Sequence, residues 1–200
     1  MSAHASHTYD YAPWRAVLDF WLDTIGPQGW YKTDPEVDRA IADRFSALVS
    51  EAIGGGLDAW IETPDGALAL LILLDQFPRN LHRGSARAFE GDAHALEIAE
   101  RAIARGHDRR IPEPERQFFY LPFEHAESLA QQNRAVALIR ERCPSLPTTL
   151  EHAEKHRDLI RRFGRFPHRN APLGREDTAE EIAFAESGGY RPGSLPTQRG

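Results

Sequence analysis

The chain is 200 residues long, 41% hydrophobic and 10% aromatic, which is enough to bury one sizeable core and reads as one domain. Its formal charge of −6 is uneven: residues 1–75 hold 12 acids against 4 bases, whereas residues 155–175 hold seven Lys or Arg against the single acid Asp158. That balance excludes the extended positive face of a general nucleic-acid binder and suits a local anion site better.

One cysteine, Cys143, rules out an intramolecular disulfide and a cysteine-based zinc site, and fits a reducing compartment. Residues 1–7 have neither the basic start nor the apolar run of a secretion signal. The longest apolar stretch, residues 67–74, falls far short of the roughly 20 residues that span a bilayer. A cytoplasmic protein without membrane insertion is therefore expected.

Residues 1–11 read as a disordered tail. A first helix follows over 13–22, with Pro13 at an early helical position. Asp34 and Pro35 supply the N-cap and first residue of a second helix, whose apolar Val37, Ile41, Phe45, Leu48, Val49 and Ala52 recur at helical spacing until Gly54-Gly55-Gly56 ends it. Thr63-Pro64-Asp65 opens a third helix that is apolar all round over 67–74, hence buried on every side, and it is predicted to stop at Phe77-Pro78. A fourth runs over 92–105 and is closed by Gly106. Two more, over 115–121 and 124–142, are predicted to be divided or kinked at Pro122. Another covers 148–163 up to Gly164. The last opens on the capping box Thr178-x-x-Glu181 and fades at Gly188-Gly189. No stretch reads as a strand. The expectation is an all-α chain of stacked antiparallel helices, one helical domain over 12–189, with a disordered tail from 190 to 200.

Chemistry-bearing residues gather at a few helix ends. Asp75-Gln76-Phe77-Pro78-Arg79-Asn80 closes the most buried helix, where the macrodipole disfavours an anion, so Asp75 must find a partner or a proton. Phe163-Gly164-Arg165-Phe166-Pro167-His168-Arg169-Asn170 repeats that logic: a helix ends, Phe-Pro turns the chain, and Arg-Asn follows. If the two turns meet, Arg79, Arg165 and Arg169 form a fork-rich anion site; otherwise they are helix caps on a basic surface. His156 points into the apolar face of its helix beside Leu159, Ile160 and Phe163. His152, one turn earlier, could share a metal with it but lacks the Glu of a zinc-protease helix. His125 and Glu127 are too close in sequence to face each other, though either could meet a group from another helix. There is no phosphate loop, no nucleophile elbow and no Glu-x-x-His pair, and nothing marks Cys143 as a nucleophile.

Together, residues 73–80, 118–125 with Glu127, His156 with 163–170, Gly174-Arg175 and Thr178-x-x-Glu181 resemble an uncharacterised family catalogued as domain of unknown function 924, over roughly residues 14–186. The resemblance implies a tetratricopeptide-like helical array, here without the consensus repeat, and brings no established activity. It singles out Asp75, Gln76, Arg79, Asn80, His125, Glu127, His156, Arg165, His168, Arg169 and Asn170, and leaves His152 outside the pattern.

The functional expectation is a polar pocket for a small anionic molecule. Gln76, Arg79, Asn80, Glu127, Arg165, Arg169 and Asn170 would bind the ligand, and Asp75, His125, His156 or His168 would be available for acid–base work. No metal is expected, and the sequence names no cofactor and leaves open whether the chain is an enzyme. The alternatives are a concave face that takes a peptide or protein, and a purely structural ion-pair network of Asp75, Arg79 and Arg169.

Overall fold

The computed structural model describes residues 12–190, so the tail expected over 1–11 and residues 191–200 lie outside the described residues. Among the described residues the regular structure is helical throughout, and no helix is long and apolar enough to cross a membrane.

Local chemistry sets most helix starts. Helix α1 (Pro13–Leu18) carries Pro13 in its first turn and runs into a π-helical stretch, Asp19–Ile25, closed by Gly26 at φ 65°. Asp34 caps α2 (Pro35–Ile53) by accepting from the Glu36 amide. Thr63 caps α3 (Pro64–Leu71) by accepting from Gly66, where a β-carbon would meet the Trp60 carbonyl at 2.3 Å. The buried face of α2, Ile41, Phe45, Val49 and Ala52, joins Phe20, Trp21, Phe77 and Phe118 in one core. Its rings meet tilted or edge-on at 4.8–6.3 Å, the arrangement aromatic quadrupoles favour.

Residues 66–74 are buried on every side, as their all-round apolar character predicts. The predicted stop at Phe77-Pro78 is corrected, however. The chain continues through a π-helical turn, Ile72–Gln76, into α4 (Phe77–Leu81). The Phe77 amide reaches back five residues to the Ile72 carbonyl, so the wider turn takes in a proline that would clash with a regular α-helical register. The Leu74 carbonyl then lies against Gly91, where a β-carbon would sit 2.1 Å from that oxygen. Only glycine admits this approach, and it seats α5 (Asp92–Ala104) directly on the π turn.

Pro122 likewise lies in the first turn of a helix where a division or kink was predicted. After a 3₁₀ turn, Glu115–Phe119, it lies in the first turn of α6 (Leu121–Glu124), its fixed φ being preorganised for that position. The break falls after α6, and α7 (Leu129–Arg142) begins beyond Ser128. A short turn joins α7 to α8 (Pro147–Phe163), and the two pack against each other as a helical hairpin. Gly164, at φ 70°, ends α8 in the left-handed region. A 3₁₀ turn, Pro167–Arg169, and α9 (Ala179–Glu186) complete the chain, with the predicted Thr178–Glu181 capping box formed at both bonds. Tyr190, assigned to the tail from sequence, instead packs its ring on His152 and His156.

The contact at Gly91 yields a test. Gly91→Ala must displace the Leu74 carbonyl or α5, and overpacking of this kind costs about 1–3 kcal/mol. Urea unfolding should give a lower midpoint with an unchanged slope; an unaltered midpoint would show that the approach is not a constraint.

Candidate functional site

The site is built where the π turn, the turn after α6, α8 and the 167–170 turn converge. Asp75, 1% exposed, sits in the π turn. Its Oδ2 accepts from Gln76 Nε2 at 2.5 Å, its Oδ1 lies 2.7 Å from His125 Nδ1, and Arg79 Nη2 lies 3.4 Å from the same oxygen. Burial works against ionisation, but Arg79, then His125 and Gln76, outweigh it and hold the carboxyl well below the usual range. With Asp75 ionised, the shared proton belongs to His125 Nδ1. His125 is held in place by Gln132, whose Nε2 donates to the carbonyls of Glu124 and Ala126 on either side of it.

A second carboxylate–imidazole pair stands beside the first. Glu124 Oε1 is 2.9 Å from His156 Nδ1, which also lies 2.8 Å from the His152 carbonyl. Glu124 is buried, which would raise its pKa, but His156 outweighs that penalty and keeps the carboxyl below its ordinary value. Its two nearest neighbours are acceptors, with the Tyr190 hydroxyl farther off at 3.5 Å, so Nδ1 carries a proton. The His156 ring is edge-packed on Phe166 at 5.5 Å and Tyr190 at 5.6 Å. Among the described residues the Nε2 atoms of His125 and His156 make no hydrogen bond, and the ring centres are 6.2 Å apart.

The arginines divide. Arg79 forks onto Asp92 at 2.9 and 3.2 Å and also donates to the Asp75 carbonyl. Arg169 donates to Asp92 Oδ2 at 2.9 Å, so one carboxylate at the start of α5 bridges the two Arg-Asn turns. The Arg169 guanidinium lies over Phe89 and Phe166, and its Nε is buried without an acceptor. Arg165 does not join them. It forks onto Glu181 and donates to the Glu176 carbonyl, tying the 165 turn to α9.

The other expected residues are placed as follows. His168 lies against Phe166, with its Nδ1 buried and unpartnered; burial, then Arg169, His156, Arg79 and His125, drive its pKa down to about 3. Gln76 serves Asp75. Asn80 is turned to Asp38 of α2 and Asn170 to Asp177, so neither joins the cluster. Glu127 takes the Phe166 amide and a fork from Arg175, fastening the second turn to the first residues after α6. His152 pairs with the Tyr190 hydroxyl at 2.8 Å, and burial lowers its pKa. Cys143 is buried, and burial pushes its thiol up to about 12. Among the described residues no group of three or more His, Cys, Asp or Glu is arranged to hold a metal ion.

Three participants escaped the sequence: Asp92, Glu124 and Tyr190. Asp92 carried one signal, an acid in the first turn of a helix that opens on glycine. Glu124 and Tyr190 carried none, because their partners come from other elements.

The half-buried His168 makes stability pH-dependent. Its folded pKa lies below the ordinary 6.5, so as pH falls from about 6.5 towards 3 the unfolded chain takes up a proton that the folded chain refuses, and stability drops. His168→Asn should flatten this loss in unfolding free energies measured between pH 7 and 4. The acid loss owed to Asp75, whose folded pKa is depressed, sets in below about pH 4 and should persist in that variant. Parallel curves for the two proteins would refute the placement of His168.

Residues 17–189 match the bacterial family described as protein of unknown function (DUF924). The solved structure of the protein of unknown function ATU0120 from Agrobacterium tumefaciens superposes with a TM-score of 0.83 at 45% identity, over 87% of this chain and 97% of that one. No curated protein matches the chain. The shared fold and the near-complete match place this chain in the bacterial DUF924 family.

Proposed function

We propose that the chain binds a small molecule carrying a phosphate or carboxylate at the cluster of Arg169, His168, His125 and His156, with Arg79 behind it. The observation that carries this reading is the Arg169 Nε–H: a charged donor on a residue 6% exposed, with no acceptor. Leaving such a donor unmet costs more than the roughly 1–3 kcal/mol of a neutral group, and an oxyanion would meet it. Asp92 accepts from both Arg79 and Arg169, and Arg79 has Asp75 as a second carboxylate 3.4 Å away, so of the two it is Arg169 that relies on Asp92 for its ion pair. The His168 Nδ1, also buried and unpartnered, supplies a second contact.

Two alternatives rest on weaker ground. The stacking of Arg169 on Phe89 and Phe166 favours a structural role, but that role leaves the Nε–H unmet. A peptide-binding, tetratricopeptide-like face needs a continuous exposed apolar groove. The large exposed apolar side chains among the described residues are Tyr31, Leu129, Leu173 and Ile182, drawn from four separate segments.

Inorganic phosphate and a panel of phosphorylated and carboxylic metabolites should raise the melting temperature of the chain. A ligand at 100 times its Kd stabilises by about 2.7 kcal/mol, and each kcal/mol is worth about 2–4 °C in a domain of this size. The shift should vanish in Arg169→Gln and persist in Arg109→Gln, a variant of a well-exposed arginine paired with Glu141. It should grow as the pH is lowered towards the folded pKa of His168, because a bound anion favours protonation of that ring. A flat response from the folded wild type across the panel would overturn the reading.

A further inference from the structure

We infer that the Asp75–His125 and Glu124–His156 pairs are the base and acid of a phosphate-ester hydrolase site, acting on the anion that Arg169 holds. This rests on the anion-binding reading above. Each carboxylate holds its imidazole through Nδ1, at 2.7 or 2.9 Å, and leaves Nε2 without a hydrogen-bond partner, the arrangement by which a buried acid orients a catalytic histidine. Two such pairs with ring centres 6.2 Å apart bring two proton-transfer groups within reach of one tetrahedral group. A single carboxylate–histidine pair would serve as a structural link; the doubling, with both Nε2 edges free, is what a hydrolysis needs, since one proton is removed and another delivered.

The charge at the site selects the substrate class. A neutral acyl ester brings no charge to Arg169 in the ground state, whereas a phosphate ester does, and its non-bridging oxygens are the acceptors that the buried Nε–H lacks. His125, with 15% of its side chain exposed, is the more open of the two and faces incoming water. His156, walled by Phe166 and Tyr190, faces the leaving group. In the reaction, His125 Nε2 takes a proton from water as the water oxygen bonds to phosphorus. The bond from phosphorus to the ester oxygen breaks, its electron pair stays on that oxygen, and His156, which enters the cycle as the imidazolium with protons on both Nδ1 and Nε2, supplies the Nε2 proton. An alcohol and a phosphate leave, and a proton returned through solvent from His125 to His156 resets the pair. The charged and titratable groups facing the two rings are Asp75, Arg79, Glu124, His152, His168, Arg169 and Tyr190. Asp75 and Glu124 are positioning residues here.

The test uses the full chain with 4-nitrophenyl phosphate and bis(4-nitrophenyl) phosphate, following release of nitrophenolate from pH 5 to 9, with phosphate binding measured by calorimetry in the same samples. Turnover with a bell-shaped pH profile is expected. His125→Asn and His156→Asn should each lower kcat by about 100-fold or more while phosphate still binds. Glu124→Gln should lower kcat and move the alkaline limb of the profile with KM little changed, which a merely structural role would not do. Circular dichroism and melting curves check folding, and His125→Gln and His156→Gln stand in for any asparagine variant that fails to fold. Phosphate binding by the wild type without turnover of either ester would overturn the acid–base inference and leave the anion site standing. Turnover that persists in both histidine variants would place the chemistry elsewhere. Absence of phosphate binding together with absence of turnover would overturn both readings.

Discussion

An ionised carboxylate at the end of a helix with no solvent-facing side constrains everything built around it. Even after relaxation and water penetration, burying one such ion costs several kcal/mol, so Asp75 is tolerable only while its partners hold. Each partner has its own requirement. Gln76 and Arg79 reach the carboxylate because the π turn presents them, and His125 because Gln132 pins the turn that carries it. Arg79 is anchored in turn by Asp92, and Asp92 is in reach because Gly91 lets α5 settle onto the Leu74 carbonyl. The cluster and the fold are therefore one construction, in which a backbone contact between the residues that precede Asp75 and Asp92 decides whether the charges meet.

The same economy runs through the rest of the molecule. Asp92 serves two arginines, Glu127 serves Arg175 and a backbone amide, and Glu181 serves Arg165 while closing its own capping box. Sharing of this kind links segments distant in sequence at a few buried points. Exposed pairs such as Arg109 with Glu141, both more than 60% exposed, add little, since such contacts are worth about 0–1 kcal/mol each.

What could be read from the sequence was what is decided locally. The caps Asp34, Thr63 and Thr178, the glycine after α8 and the all-round apolar helix follow from neighbours a few residues away, and they stand where expected. Prolines 78 and 122 were read as breaks because a proline forbids a regular α-helical bond. Whether the chain breaks, widens into a π turn or begins a new helix depends on what lies beside it, and at Pro78 the neighbour is Gly91. The candidate site divides in the same way. Asp75, Arg79, His125, His168 and Arg169 were visible as unusual residues near helix ends, and His156 as a histidine on an apolar helix face. Their pairing was not, because Glu124 and Asp92 answer to elements far off in the chain. Arg165 shows the limit of motif logic: the two Phe-Pro turns differ in backbone, Phe77 being helical and Phe166 extended, and this arginine turns to Glu181.

The segment from Leu159 onwards does not belong to the main core. Leu159, Ile160 and Phe166 form a small cluster of their own, with Phe163, Phe184 and Tyr190 packed on it. Apolar burial sets how much free energy a region needs to come apart, and cooperative units with little of it open well before the whole chain unfolds. The wall formed by Phe166 and Tyr190 against His156 thus rests on this small cluster, while Asp75 behind the histidines is set in the π turn that continues the main core. One side of the cluster can breathe without disturbing the other, so exchange of small molecules with solvent is thermodynamically separable from the integrity of the charges that would receive them.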